Sequence, residues 1–182
     1  MPQSNIEKDN ILVPHDSILI KVEQIARQID ANHFQPSGGK LVLVGILTGS
    51  YRFIADLSRF ISIPHRVEFI KVSTYGDEQN AQRPAEVDDL IDHIDPDETV
   101  IIVDDIMDQG ATMRAAYQYI DTKYQPLSIE TCALLDTRIY PPHYSGFFVS
   151  SSVFVYGYGL DLKGYHRGED NIYYVERDPA SG

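Results

Sequence analysis

Residues 100–113 read Val-Ile-Ile-Val-Asp-Asp-Ile-Met-Asp-Gln-Gly-Ala-Thr-Met. Four consecutive β-branched residues, 100–103, predict a strand with no polar face, as found at the centre of a parallel sheet covered on both sides. That strand is expected to end in the carboxylates Asp104 and Asp105, with Asp108 close behind, and helical spacing resumes over 114–124. Between strand and helix, Gly110 allows close backbone approach and Thr112 adds a hydroxyl donor. A helix N-terminus offers unpaired amides and the positive end of the peptide dipoles, which suits a phosphate. Carboxylates beside a phosphate repel it unless they face sugar hydroxyls or a metal. Phosphate on one side and a vicinal diol on the other describe a ribose phosphate. The Asp104-Asp105 pair alone also fits an acidic strand end with a helix cap. An aspartyl phosphoryl acceptor is the rival chemistry, but it would want a Lys at a later strand end, and none stands at Asp136-Thr137.

Outward from this segment, strands and helices alternate. Apolar positions Ile18, Val22, Ile25, Ala26 and Ile29 predict a helix over 18–29. A second strand, apolar on both faces, is expected over 41–47, a helix over 51–61, and an alternating strand over 67–72. Further strands are expected over 129–135 and 153–158. Residues 76–99 are polar and acidic and read as one long connection, the length of a functional lid or an insert. This alternation predicts an α/β fold, a mostly parallel sheet flanked by helices, in one domain spanning residues 1–182. Ligand sites in such sheets lie at the carboxyl ends of the strands.

Composition narrows the function classes. Acidic residues outnumber basic ones by 27 to 15 in the 182-residue chain, a net charge of -12. That balance argues against a nucleic-acid partner, which would call for a basic face. A polyanionic substrate must therefore be met by local basic groups, backbone amides or a metal. The lone Cys132 cannot form an internal disulfide and reads as a buried, inert thiol. No apolar window approaches the ~20 residues of a membrane span, and the polar N-terminus does not read as a signal peptide. A cytoplasmic protein without a membrane partner is expected.

The whole segment 100–113 resembles the 5-phosphoribosyl-1-pyrophosphate (PRPP) motif of type I phosphoribosyltransferases: apolar strand, two acids, two apolar residues, Asp, any, Gly, any, Thr. Within that family the chain is most similar to the hypoxanthine-guanine enzymes. Val44-Gly-Ile-Leu-Thr-Gly-Ser50, followed by Phe53-Ile-Ala-Asp56-Leu57, looks like the family's pyrophosphate loop and its helix. Val67-Glu-Phe-Ile70 through Thr74-Tyr75 looks like the strand entering its flexible catalytic loop. Phe154-Val-Tyr-Gly-Tyr-Gly-Leu-Asp161 is similar to its purine-binding strand, with Tyr165-His-Arg167 following at the family spacing.

The resemblance implies transfer of the phosphoribosyl group of PRPP to hypoxanthine or guanine, with Mg²⁺ as cofactor and a small hood built from the N- and C-terminal segments. Asp108 would be the general base at purine N7. Asp104 and Asp105 would meet the ribose hydroxyls, directly or through metal-bound water, and the backbone of Gln109, Gly110, Ala111 and Thr112 would hold the 5′-phosphate. Leu47, Thr48, Gly49 and Arg167 would bind pyrophosphate, Asp161 would hold the metal, and Thr74 and Tyr75 would belong to the lid. Phe154 would stack on the base and Val155 would read its edge. Outside that context, Phe154 reads as core and Arg167 as a solvated charge.

Two positions depart from the pattern. The family usually has Lys where Thr48 stands, in a loop that binds through backbone amides and whose first peptide bond is often cis in relatives. It also has a Lys, donating to the purine 6-oxo group, where Thr137 stands; Arg138 could supply that donor only if a local turn brings it round. Xanthine or a pyrimidine therefore stays open as the base. A non-catalytic PRPP or nucleotide sensor of the same fold also remains an alternative. Relatives are dimers or tetramers, so a homo-oligomer is expected.

Overall fold

The structure, a computed structural model, describes residues 10–35, 39–73, 86–89 and 91–176. In chain order the elements are β1 (Ile11–Val13), α1 (His15–His33), β2 (Leu41–Leu47), α2 (Tyr51–Phe60), β3 (His65–Ser73), β4 (Glu86–Asp89), β5 (Thr99–Met107), α3 (Ala111–Tyr124), β6 (Ser128–Asp136), β7 (Tyr144–Phe148), β8 (Val153–Tyr156) and β9 (Ile172–Glu176).

Six strands form one sheet in the order β4-β3-β2-β5-β6-β7, parallel throughout except for β4 at one edge. The apolar strand β2 and the apolar 100–103 stretch of β5 lie side by side at its centre. Their alternate residues feed two cores. Leu41 and Leu43 pack with Ile101, Val103 and the buried faces of α1 and α2. Val42, Val44 and Ile46 pack with Val100, Ile102 and the Met113, Ala116 and Ile120 face of α3. Burial on both faces is why these strands carry no polar alternation. Cys132 is free and buried, and burial pushes its thiol up and out of reach of ionisation. No helix among the described residues is long and apolar enough to cross a membrane.

The chain runs from β2 outward to β3 and then crosses back to β5 on the other side of β2. The strand order therefore reverses between β2 and β5, which opens a crevice at their carboxyl ends. A second, three-stranded antiparallel sheet, β1-β9-β8, joins the two ends of the described chain. It is the hood the resemblance implied.

Three expectations are corrected. β5 does not end at the acids but runs through Asp104 and Asp105 to Met107, still pairing with β6. Residues 76–99 are not a single connection: β4 pairs antiparallel with β3, and Ile91 and Ile94 are buried in the core beside α3. The strand expected over 153–158 stops at Tyr156, because Gly157, Tyr158 and Gly159 all take positive φ, 91°, 51° and 104°.

Candidate active site

Two strand–loop–helix turns build the crevice. After β2, the Leu47–Thr48 peptide bond is cis, and α2 starts at Tyr51 behind Ser50, whose Oγ donates to the Ile46 carbonyl at 2.6 Å. Gly49 packs directly on the neighbouring strand β5: a Cβ there would fall 1.8 Å from Asp105 Oδ2. After β5, the chain turns through Gly110 in the left-handed region (φ 69°), a conformation that glycine adopts without a Cβ penalty. No side chain caps α3, so its first-turn amides lack intrahelical partners where Ala111, Thr112 and Met113 line the crevice.

Two cavities meet here. The larger, about 440 Å³, lies between the turns and is lined by Leu47, Gly49, Asp104, Asp105, the 108–113 turn, Asp161 and Arg167, among others. The smaller, about 250 Å³, lies under the hood and is lined by Thr137, Val149, Ser150, Ser151, Val153, Phe154, Val155 and Leu160. Asp105, Ile106, Asp108 and Asp161 line both. One compartment thus offers amides and an Arg to an anion, and the other offers an apolar slot with hydroxyls at its rim. Carboxylates stand at their junction.

Fourteen of the positions singled out from sequence converge on these cavities: Asp104, Asp105, Asp108, Gln109, Gly110, Ala111, Thr112, Leu47, Gly49, Arg167, Asp161, Thr137, Phe154 and Val155. Thr48 is exposed and lines neither. Thr74 and Tyr75 lie outside the described residues. The turn that Arg138 required is present, with φ 61° and its amide donating to Asp136 Oδ1 at 2.9 Å. It leads away from the cavity, however, and the guanidinium stacks 4.7 Å over the Phe148 ring. Thr137 is the one of the pair that faces the cavity, its Oγ1 3.4 Å from the Asp108 carbonyl. Sequence reading missed Ser150 and Ser151, which sit in the turn before β8 and carried no signal beyond that of a surface turn.

The family model for the phosphoribosyl transferase domain matches residues 10–161. The chain belongs to the phosphoribosyltransferase family. A hypoxanthine phosphoribosyltransferase of Salmonella typhimurium is 33% identical over 156 residues, 83% of this chain and 86% of that one. A hypoxanthine-guanine phosphoribosyltransferase of Bacillus anthracis superposes with a TM-score of 0.81 at 28% identity, covering 92% of this chain and 98% of that one. A hypoxanthine phosphoribosyl transferase of Trypanosoma cruzi, studied for the role of its C-terminal region in oligomeric state and activity, superposes with a TM-score of 0.82 at 30% identity, covering 97% and 95%.

In this phosphoribosyltransferase the paired acids carry an electrostatic cost. Desolvation, and after it the charge of Asp105, pushes the Asp104 carboxyl well above the usual carboxylate range. Asp105 is also raised by desolvation, against hydrogen bonds from the Asp104 side chain and the Ile106 amide and the charge of Arg167. A raised folded value means that the native state holds protons the unfolded chain has released. Stability therefore falls as pH rises from the ordinary carboxylate range through the raised values. Asp104→Asn removes this penalty. The free variant should unfold several degrees higher than the parent at neutral pH, each kcal/mol being worth about 2–4 °C in a chain of this size. Its dependence on pH should also be flatter. Thermal melts between about pH 5 and 8 that show no gain would mean the pair costs nothing.

Among the described residues, no three His, Cys, Asp or Glu side chains cluster into a closed metal cage. What the site offers is an open set of carboxylate oxygens. Asp161 lines both cavities with Asp105; its Oδ1 accepts from Arg167 at 2.7 Å and its Oδ2 from the Gly164 amide at 2.7 Å. That set fits a hard cation such as Mg²⁺, which takes one or two protein carboxylates and fills its shell with water and phosphate oxygens.

Proposed function

We propose that this protein is a purine-salvage enzyme that transfers the phosphoribosyl group of PRPP to hypoxanthine or guanine, giving the nucleoside monophosphate and pyrophosphate. The observation that carries this reading is the junction of two unlike cavities across Asp105, Ile106, Asp108 and Asp161. The α3 N-terminus takes the 5′-phosphate, and the buried Asp104 and half-buried Asp105 accept from the ribose hydroxyls. Leu47, Gly49 and Arg167 bind the pyrophosphate. Phe154, 40% exposed, stacks on the base, and the Val155 backbone reads its edge.

In the reaction, purine N9 attacks the anomeric carbon while the bond to the pyrophosphate oxygen breaks, its electron pair leaving with the pyrophosphate. The N7 proton passes to the Asp108 carboxylate, whose charge also favours the positive character that builds on the ribose. Asp161 and Asp105, which line both cavities, would hold Mg²⁺, whose charge would neutralise the leaving pyrophosphate. Thr137 reads the 6-oxo group through its hydroxyl or a water. Self-association as a homodimer or homotetramer belongs to the same reading, and the Trypanosoma cruzi neighbour supports it.

The test is pyrophosphate release from PRPP with hypoxanthine, guanine, xanthine, adenine and a pyrimidine, each with Mg²⁺ and with excess chelator. Release with hypoxanthine and guanine, only in Mg²⁺, is expected. Binding of PRPP without turnover of any base would favour the sensor reading. Thr137→Ala should lower kcat/KM for the 6-oxopurines by about 1–3 kcal/mol, the cost of an unpaired buried acceptor. Arg138→Ala, by contrast, should stay within the roughly 0.5 kcal/mol of an ordinary surface change. The reverse ranking would return the donor role to Arg138.

A further inference from the structure

Arg52 is the second residue of α2, just beyond the 47–50 turn, and neither the motif nor either cavity includes it. Its guanidinium is nevertheless engaged through both terminal nitrogens. One nitrogen donates to the carbonyls of Gly168 at 3.0 Å and Glu169 at 2.8 Å, and the other to Asp170 Oδ1 at 2.8 Å. Its flat face lies 5.0 Å from the centre of the Tyr158 ring, and the side chain is 19% exposed. A planar fork that satisfies two carbonyls and a carboxylate while stacking on an aromatic ring is a use only Arg serves fully.

The segment so gripped carries the cation of the larger cavity. The Tyr158 amide donates to the Glu169 carbonyl at 2.8 Å, and the Gly159 amide to the Arg167 carbonyl at 2.9 Å, so residues 158–159 and 167–169 form one small ladder. Arg167 donates back to the Gly159 carbonyl at 2.6 Å and on to Asp161. Gly159 in turn abuts the Gly49 carbonyl so closely that a Cβ would stand 2.2 Å from it. Arg52 therefore joins the helix that follows the pyrophosphate turn to the loop that presents Arg167 and Asp161.

We propose that Arg52 is a positioning residue for the pyrophosphate end of the site: it fixes Arg167 and Asp161 in register with the 47–49 turn without touching substrate. The inference rests on the functional reading above. It concerns the anion side alone, so the base side should be indifferent to it.

Titration calorimetry of PRPP with Mg²⁺, and kcat and KM for PRPP and for hypoxanthine, would be measured on Arg52→Ala, Arg52→Lys, Asp170→Asn and the exposed control Arg27→Ala. In Arg52→Ala, PRPP binding and KM should weaken on the order of 10–100-fold, the scale of a small misplacement of a binding group, with hypoxanthine KM near wild type. Arg52→Lys should recover part of the loss, Asp170→Asn should show a smaller shift in the same direction, and Arg27→Ala none. Unchanged PRPP affinity in Arg52→Ala overturns the proposal. So does an equal rise in both KM values with a lowered melting temperature, the mark of general loosening. Should Arg52→Ala fail to fold, Asp170→Asn decides, and wild-type PRPP affinity there counts against it. Wild-type protein that binds no PRPP overturns the functional reading and this inference together, whereas wild-type binding matched by Arg52→Ala overturns this inference alone.

Discussion

Asp108→Asn should keep PRPP binding and lose roughly 10²–10⁴-fold in kcat, the usual contribution of a positioned general base. The substitution keeps shape and hydrogen-bonding reach while removing the group that can accept the proton. Asp108 lines both cavities, so it stands where the purine and the anomeric carbon would meet. Its carbonyl also lies within reach of the Thr137 hydroxyl, and that contact does not depend on the carboxylate. Calorimetry with PRPP and steady-state turnover with hypoxanthine separate the two effects. Unchanged kcat would remove Asp108 from proton transfer, and lost PRPP affinity would make it a binding group instead.

Gly159→Ala should be one of the most damaging conservative changes outside the acids. Gly159 has φ +104°, a conformation L residues rarely adopt, and the new Cβ would meet the Gly49 carbonyl at 2.2 Å. A flexible side chain could yield, but a backbone oxygen in the 47–50 turn cannot move without shifting the turn. Overpacking of this kind costs about 1–3 kcal/mol, and the strained φ adds about 1–2 more. At about 2–4 °C per kcal/mol, the melting temperature should fall by roughly 4–20 °C. PRPP affinity should fall with it. A variant that melts and binds like the parent would show that the 159–161 loop and the 47–50 turn move independently.

Most of the parallel sheet is legible in the sequence because burial on both faces leaves an unmistakable record, as in residues 41–47 and 100–103. The edges are not. β4 has a single apolar residue, Val87, within Glu-Val-Asp-Asp, and the charges that keep an edge strand from pairing further also disguise it as loop. Asp104 was readable as a ligand-facing acid but not as a strand residue, because sequence patterns assume that buried strand positions are apolar. The α3 side of the larger cavity follows from one contiguous motif, 100–113, so its residues could be named together. The base side is assembled from β6, the 149–151 turn and β8, and the direction in which Arg138 leaves β6 depends on a backbone turn that no local pattern announces.

The small sheet β1-β9-β8 has a consequence for the order in which the protein comes into being on the ribosome. Domains emerge N-terminus first at ~5–20 residues per second. The strands β2 and β5 and the turns that follow them are made before β8 and β9. The smaller cavity is not complete at that stage, because β8 is completed by β9, and β9 also pairs with β1, made far earlier. β1 must therefore wait, unpaired, until residues 172–176 have left the exit tunnel. On the proposed reading, a nascent chain could thus shape its phosphate site before the wall of the base slot is closed.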